Sequence, residues 1–437
     1  MDAYFLFFVN LYRRYFILSH TTIITQTKNQ VYLKIKNNKT LKIILIGISD
    51  NKPNFTPEIK TILQKTTHFA GGKRHYERVK ECLPANAEWT SITVPLTALF
   101  DKLRSKAGKW IIFASGDPLF FGIGNTLKRK FPDAEFTFFP AFNSLQLLGQ
   151  KLGINYGPYK TVSLTGRNWH EFDRALLQGE KHLGILTDRK KTPAVIAARM
   201  LAFGYNNYRM FYGECMGGEH EKTTGLSLPK VQDLEIRHPN CFFLEKTNDK
   251  FPRKGIPETE FELLDGRPNM ITKMPIRLTT LAALELHNKK VFWDIGACTG
   301  SISIETRLLF PQVKVVAFEK RKESKAIIEK NAQRFQTPGI QLLIDDYQTI
   351  NKDNLEQPDA VFLGGYGGKM EKILNDIKHR LPVNGTLVFN SVSEKSKNDF
   401  LNWGKKNKYY LHFQQKLSVD EHNPISILAL KKSRTEA

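Results

Sequence analysis

Lys290-Val291-Phe292-Trp293-Asp294-Ile295-Gly296-Ala297-Cys298-Thr299-Gly300-Ser301 runs from an apolar strand into a turn of small residues, and a helix-like stretch from Ser301 to Leu309 follows. The strand ends in Asp294. The next apolar run, Val313 to Phe318, ends in Glu319, about 20 residues past the turn, where an acid meets the hydroxyl pair of a ribose. A third run, Ile340 to Ile344, leads to Asp346. Strands alternating with helices imply an α/β fold with a largely parallel sheet, and ligands of such sheets sit beyond the carboxyl ends of the strands. A dinucleotide site wants G-x-G-x-x-G, whereas this turn reads Gly296-x-Cys298-x-Gly300. A P-loop is excluded, because no Gly-Lys-Ser/Thr follows. A Rossmann-like domain without its ligand is the bland alternative.

Upstream, apolar runs recur at Lys42–Ile48, Trp110–Ala114, Phe136–Phe139, Thr161–Leu164 and Leu183–Leu186, separated by helix-like stretches such as Ser144–Leu152 and Pro193–Phe203. This first half also reads as α/β with a largely parallel sheet. Its most informative peptide is Ala114-Ser115-Gly116-Asp117-Pro118-Leu119-Phe120-Phe121-Gly122-Ile123-Gly124. Gly116 permits close approach of the backbone to a ligand, and Pro118 stiffens the turn. By local physics alone it is an ordinary strand-to-helix turn. The polar stretch 247–254 is the expected linker, which divides the chain into an extension (1–40), a first domain (41–246) and a second domain (255–437). The extension carries Tyr4–Val9, apolar but short, with Arg13 and Arg14 after it rather than before. That order does not make a secretory signal.

The 437 residues suit two to three domains. Lys plus Arg is 65 against 43 Asp plus Glu, a net charge of +22 that calls for an anionic partner. No run of eighteen apolar residues exists, so no membrane-spanning helix is expected. The four cysteines form no CxxC pair, which argues against a zinc ribbon or disulfide scaffold and suits a reducing cytosol. No metal site is expected.

Several peptides carry a resemblance. Gly71-Gly72-Lys73-Arg74-His75, Ser115 to Gly124, Pro140 to Gln146, Ser163-Leu164-Thr165-Gly166-Arg167 and Leu186-Thr187-Asp188 with Thr192-Pro193-Ala194 resemble, in order, signature segments of the tetrapyrrole methylases. The opening GxGPG loop of that family is here Gly47-Ile48-Ser49-Asp50-Asn51-Lys52-Pro53, a departure. In the second half, the turn after Asp294 resembles the D-x-G-x-x-x-G loop of Rossmann-like S-adenosylmethionine methyltransferases. Gly255 to Phe261, Met270 to Lys273 and Val361 to Gly368 resemble the decarboxylating precorrin methyltransferases. The whole chain is similar to the fused precorrin-6Y C(5,15)-methyltransferase (decarboxylating) family.

The resemblance implies a two-lobed tetrapyrrole methylase module followed by a Rossmann-like methyltransferase domain, each with S-adenosylmethionine as cofactor. It implies methylation at ring carbons 5 and 15 and loss of carbon dioxide from the ring C acetate, in cobalamin synthesis. The cofactor residues it implies are Gly116, Asp117 and Leu119 in the first half. In the second they are Thr272, Asp294, Gly296, Ala297, Cys298, Thr299, Gly300, Glu319, Asp346, Gly364 and Gly365. Cys298 takes a position that is usually Gly, and its small side chain should be tolerated. Positioning donor and acceptor supplies most of the acceleration such chemistry needs, so no residue is assigned as catalytic. The substrate carries many carboxylates, for which Arg is the natural bidentate partner. Lys73, Arg74, Arg167, Lys273 and Arg277 are the candidates. His75 and His170 are read as structural.

A nucleic-acid methyltransferase is the alternative, on the charge and the methyltransferase loop. Against it, Gly364-Gly365-Tyr366 stands where N/D-P-P-Y/F would follow the fourth strand, and no RNA-binding signature occurs. A binding protein with decayed loops is a third class. Neither nucleic acid nor membrane is expected as a partner, and related domains commonly assemble as homo-oligomers.

Overall fold

The computed structural model describes residues 40–249, 251–421 and 423–433. The expectation for 1–40 lies, but for Thr40, outside them. The chain gathers into two compact units. One ends at Leu147 and takes in Gly217–Glu219; the other holds Leu148–Met216 and the chain from His220 onward.

The first unit contains a five-stranded sheet of β1 (Lys42–Ile48), β2 (His68–Gly71), β3 (Glu88–Ser91), β4 (Lys109–Ser115) and β5 (Glu135–Phe139), in the order β3-β2-β4-β1-β5. Every pairing is parallel. Alternate residues of β1 feed two cores, Ile44 and Ile46 on one face and Ile43 and Leu45 on the other. A strand covered on both faces reads as a continuous apolar run, which is why Lys42–Ile48 was legible.

The second unit carries two sheets. The first comprises β6 (Lys160–Ser163), β7 (His182–Leu186), β8 (Tyr208–Glu214), β9 (Lys222–Ser227) and β10 (Asn240–Lys246), in the order β6-β7-β10-β8-β9. Only β6 and β7 run parallel; β10 is antiparallel to both β7 and β8, and β8 is antiparallel to β9. The largely parallel sheet expected of the first half is the sheet of β1 to β5, and this second sheet adds antiparallel pairings to it. The connection of β8 to β9 is too short for a parallel crossover, which needs a dozen or more residues.

The other sheet is seven-stranded: β11 (Val291–Ile295), β12 (Lys314–Glu319), β13 (Ile340–Ile344), β14 (Ala360–Leu363), β15 (Thr386–Ser391), β16 (Tyr409–Leu417) and β17 (Ile425–Lys432), in the order β13-β12-β11-β14-β15-β17-β16. The strand order switches side at β11, so β12 and β14 flank it in parallel register. The last two strands close the sheet antiparallel. Trp293, Phe318, Leu363 and Phe389 pack on one face, Phe292, Val315, Phe362 and Val388 on the other. Each such side chain contributes about 1.5–3 kcal/mol of burial.

The two sheets of this unit share contacts. Leu177, from helix His170–Leu177, packs with Ile304 and Leu308 of helix Ser301–Leu309. Asp173 is buried and accepts two bonds from Arg199, at 3.2 and 2.8 Å. Tyr205 donates to the Gln336 carbonyl at 2.7 Å.

Candidate functional site

At the carboxyl end of the seven-stranded sheet lies a cavity of about 390 Å³. Its floor is the turn after β11. Gly296 (φ +83°) and Gly300 (φ +78°) are left-handed. A Cβ on Gly296 would lie 2.5 Å from the Gly365 nitrogen, so the β11 and β14 loops touch backbone to backbone. Gly364 and Gly365 both donate to the Ile295 carbonyl. Cys298 is also left-handed (φ +54°), at about 1 kcal/mol for a side chain. Its N–H donates to Glu319 Oε2 at 2.9 Å, and its thiol meets the Met270 carbonyl. The residue is tolerated because it is held, not merely because it is small.

Asp294, Gly296, Ala297, Cys298, Thr299, Glu319, Asp346, Gly364, Gly365 and Thr272 all line this cavity. Gly300 does not; it turns the chain into helix Ser301–Leu309. Asp294 is fully buried, and Ser303 donates to its Oδ2, while Oδ1 has no partner among the described residues. Burial pushes its carboxyl up to about 7. Glu319 is buried at the β12 tip; its Oε1 accepts from the Arg321 backbone and guanidinium. Asp346 takes Lys369 on Oδ2 at 2.7 Å and the Gln348 N–H on Oδ1. The Lys369 bond, first, and the Gln348 bond hold its pKa down.

The cavity also has residues the sequence reading passed over: Asn390 and Val392 from the β15 end, Tyr366, Lys320 and Arg321. The two that follow Glu319 could have been read from the acid's own position. Asn390 carries no local signal, because it enters through sheet order.

The basic candidates separate. Arg277 is corrected. It is fully buried and pairs with Glu305 at 3.2 Å, and it donates to the carbonyls of Thr272 and Ile256. A guanidinium so occupied has no fork left for a substrate. It anchors the Thr272 peptide instead, while Glu305 holds the Gly255 and Ile256 N–H groups. Lys273, the residue before helix Met274–Leu284, directs its ammonium to Asp420 at 3.6 Å. Arg167 is exposed in the turn after β6, and Lys73 is exposed at the start of helix Lys73–Val79. His170 Nε2 lies 3.1 Å from the Gln312 carbonyl.

In the first unit, Gly116, Asp117 and Leu119 form the turn at the β4 tip. Gly116 donates to the Ile48 carbonyl at 2.9 Å, and the Asp117 carboxylate accepts from the Leu119 N–H at 2.8 Å. Gly47, the glycine retained from the altered opening loop, is needed there: a Cβ on it would sit 1.9 Å from the Gly116 oxygen. Beside this turn Ser115 Oγ lies 2.9 Å from both Arg74 Nη2 and His75 Nε2. Arg74 Nη1 pairs with Asp50 at 3.2 Å. His75 Nδ1 accepts from the Gly72 N–H at 3.2 Å, so in the neutral ring Nε2 carries the proton and donates to Ser115. Burial, then Arg74, lowers the His75 pKa to about 4. His75 therefore orients Ser115 and is no base for it, a role the reading of a lone structural histidine missed.

Residues 265–429 match the family model of a precorrin methyltransferase domain. The chain is 31% identical over 360 residues to a precorrin-6Y C(5,15)-methyltransferase [decarboxylating] of Sinorhizobium sp, across 80% of this chain and 84% of that one. The chain belongs to the precorrin-6Y C(5,15)-methyltransferase family.

Two shorter relatives from Salmonella typhimurium accompany it. One is a cobalt-precorrin-6B C(15)-methyltransferase (decarboxylating), 34% identical over 134 residues, 30% of this chain and 68% of that one. The other is a cobalt-precorrin-7 C(5)-methyltransferase, 29% identical over 184 residues, 41% of this chain and 88% of that one. The family overturns the alternative of a nucleic-acid methyltransferase. Among the described residues no helix is long and apolar enough to cross a membrane, and no His, Cys, Asp and Glu cluster could hold a metal.

Proposed function

We propose that this chain is a bifunctional S-adenosylmethionine-dependent C-methyltransferase of cobalamin biosynthesis. It methylates a precorrin-6 type tetrapyrrole at carbons 5 and 15 and removes carbon dioxide from the ring C acetate. The observation that carries the reading is the gathering of Asp294, Glu319 and Asp346 around one cavity with the two glycine loops.

The residues fit the cofactor. The unpartnered Asp294 oxygen is an acceptor waiting for a cation, which the α-ammonium of the methionine part provides. Glu319 accepts from the ribose hydroxyls, and Asp346 borders the adenine. The first N–H groups of helix Ser301–Leu309 have no acceptor within the helix and suit the methionine carboxylate. The cofactor supplies an electrophilic methyl on a sulfonium. The chain supplies alignment, water exclusion and a dry floor of apolar strand tips.

In the first module Gly116, Asp117 and Leu119 border the cofactor, and Arg74 is a carboxylate partner; Arg167 is a separate candidate for a substrate carboxylate. Lys273 is the corresponding cation of the second module. The excess of 22 positive charges suits a substrate of many carboxylates. The cytosol is the inferred compartment.

Calorimetric titration with S-adenosylmethionine tests the reading. Two sites per chain are expected, one of them weakened at least about tenfold by Glu319→Ala. A single site would remove the first module's assignment. A second-module site indifferent to Glu319→Ala would remove the cofactor pose.

A further inference from the structure

The cavity has two ends. The acids Asp294, Glu319 and Asp346 belong to β11 and to the tips of β12 and β13, on one side of the sheet. On the other side of β11 the lining comes from β14, β15 and β17: Gly364, Gly365, Asn390, Val392 and Ile425, with Ile276 facing them. With the cofactor on the acidic side, the acceptor ring lies at this second end.

Asn390 is held there by another element. Thr280, on helix Met274–Leu284, has one hydroxyl proton and donates it to the Ile276 carbonyl, 2.7 Å from Oγ1. Thr280 Oγ1 is then an acceptor, and Asn390 Nδ2 donates to it at 2.9 Å. The longer approach of Asn390 Oδ1, at 3.2 Å, would need the same proton. The amide is thus tied to Thr280 through one N–H, its second N–H has no part in that contact, and the residue lines the cavity.

The cations of the lining are placed elsewhere. Arg321 is spent on Glu319 and Lys369 on Asp346. Lys320 belongs to the β12 tip, three strands from Asn390, with its Nζ against Gly367. Asn390, a fixed hydrogen-bond donor at the acceptor end, is neutral.

We propose that the free Asn390 N–H binds the substrate carboxylate that is lost, orienting it without neutralising it. The inference rests on the decarboxylating reading above and names the residue that serves it. In the step, the bond between the acetate methylene and its carboxyl carbon breaks, and its electron pair enters the conjugated ring. Carbon dioxide leaves, and the methylene carbon takes a proton from water. Charge leaves the carboxylate as the bond breaks. A guanidinium or ammonium paired with it would stabilise the starting state more than the transition state and slow the step. One neutral N–H fixes the torsion of the acetate at little such cost.

The test reads the mass of the tetrapyrrole product and the cofactor affinity together, in the full chain. Asn390→Ala is expected to lower carbon dioxide loss relative to methylation at carbon 15 by about tenfold, the worth of one hydrogen bond of this kind. Cofactor affinity should stay within about twofold. Thr280→Val, which removes only the anchoring hydroxyl, should move the ratio in the same direction. Asn390→Lys should lower KM and also lower kcat for carbon dioxide loss, a split that a purely structural role would not produce. An unchanged ratio in Asn390→Ala with cofactor binding intact overturns the inference. A wild-type chain that methylates and releases no carbon dioxide overturns the decarboxylating reading instead, so the two failures are distinct.

Discussion

Ser303 donates its hydroxyl to Asp294 Oδ2 at 2.6 Å, reaching back across the turn that carries Gly296 and Gly300. The bond fixes the carboxyl and leaves Oδ1 buried, with no partner among the described residues. Burial holds the group up at about 7. An acid whose pKa is higher folded than unfolded favours the folded state when protonated, and that contribution fades as pH rises from about 4 to 7. Binding an ammonium demands the carboxylate.

Cofactor affinity at the second module is therefore expected to rise between pH 6 and 8, with release of up to one proton per cofactor bound. Calorimetry in buffers of different ionisation enthalpy measures that proton. Asp294→Asn should abolish the pH dependence and weaken binding by about tenfold or more, as loss of a buried charged partner does. Affinity that stays level across this range in the wild type would remove the ammonium from Asp294.

Gly296→Ala should leave the second module unable to form its floor. The added Cβ meets the Gly365 nitrogen at 2.5 Å, and φ at Gly296 is +83°. Both loops must shift, at about 1–3 kcal/mol. Loss of the second-module cofactor site at unchanged helix content is the expected result, read by titration and circular dichroism.

Asp173→Ala should destabilise the second compact unit. Asp173 is buried, accepts Arg199, and faces the charge of buried Arg307, whose Nη2 has no partner among the described residues. Removing one partner of a buried pair costs about 3 kcal/mol or more. An unfolding free energy from urea titration that falls by that amount, with a correspondingly lower midpoint, is expected. Asp173→Asn, which keeps the shape, should recover part of it.

His75 should act at neutral charge. Its pKa, lowered to about 4 by burial and Arg74, means the folded state gives up stability as pH falls from about 6.5 toward 4 and none above that range. Methylation at carbon 5 is expected to show no His75 ionisation between pH 6 and 8. His75→Gln, able to donate to Ser115, should retain more of that activity than His75→Phe, as measured by product mass. Equal loss in both would deny the Ser115 bond.

The strands that were legible include those buried on both faces, such as Lys42–Ile48 and Val291–Ile295, because little on either face needs to be polar. The turn after Asp294 was legible because left-handed backbone selects glycine at Gly296 and Gly300. The antiparallel placement of β10 beside β7 was not, since period and composition do not encode strand order. Arg277 misled for a related reason. A lone arginine beside a motif looks the same in sequence whether it faces solvent or pairs with Glu305 in the interior. Asn390 and Thr280 meet across 110 residues, a contact only the sheet creates.

Mass spectrometry of the tetrapyrrole formed from a precorrin-6 type substrate and S-adenosylmethionine addresses the central claim most directly. Two added methyl groups and one lost carboxyl carbon per ring are the result this structure leads one to expect. A ring returned with its mass unchanged, from protein that binds the cofactor, would contradict it.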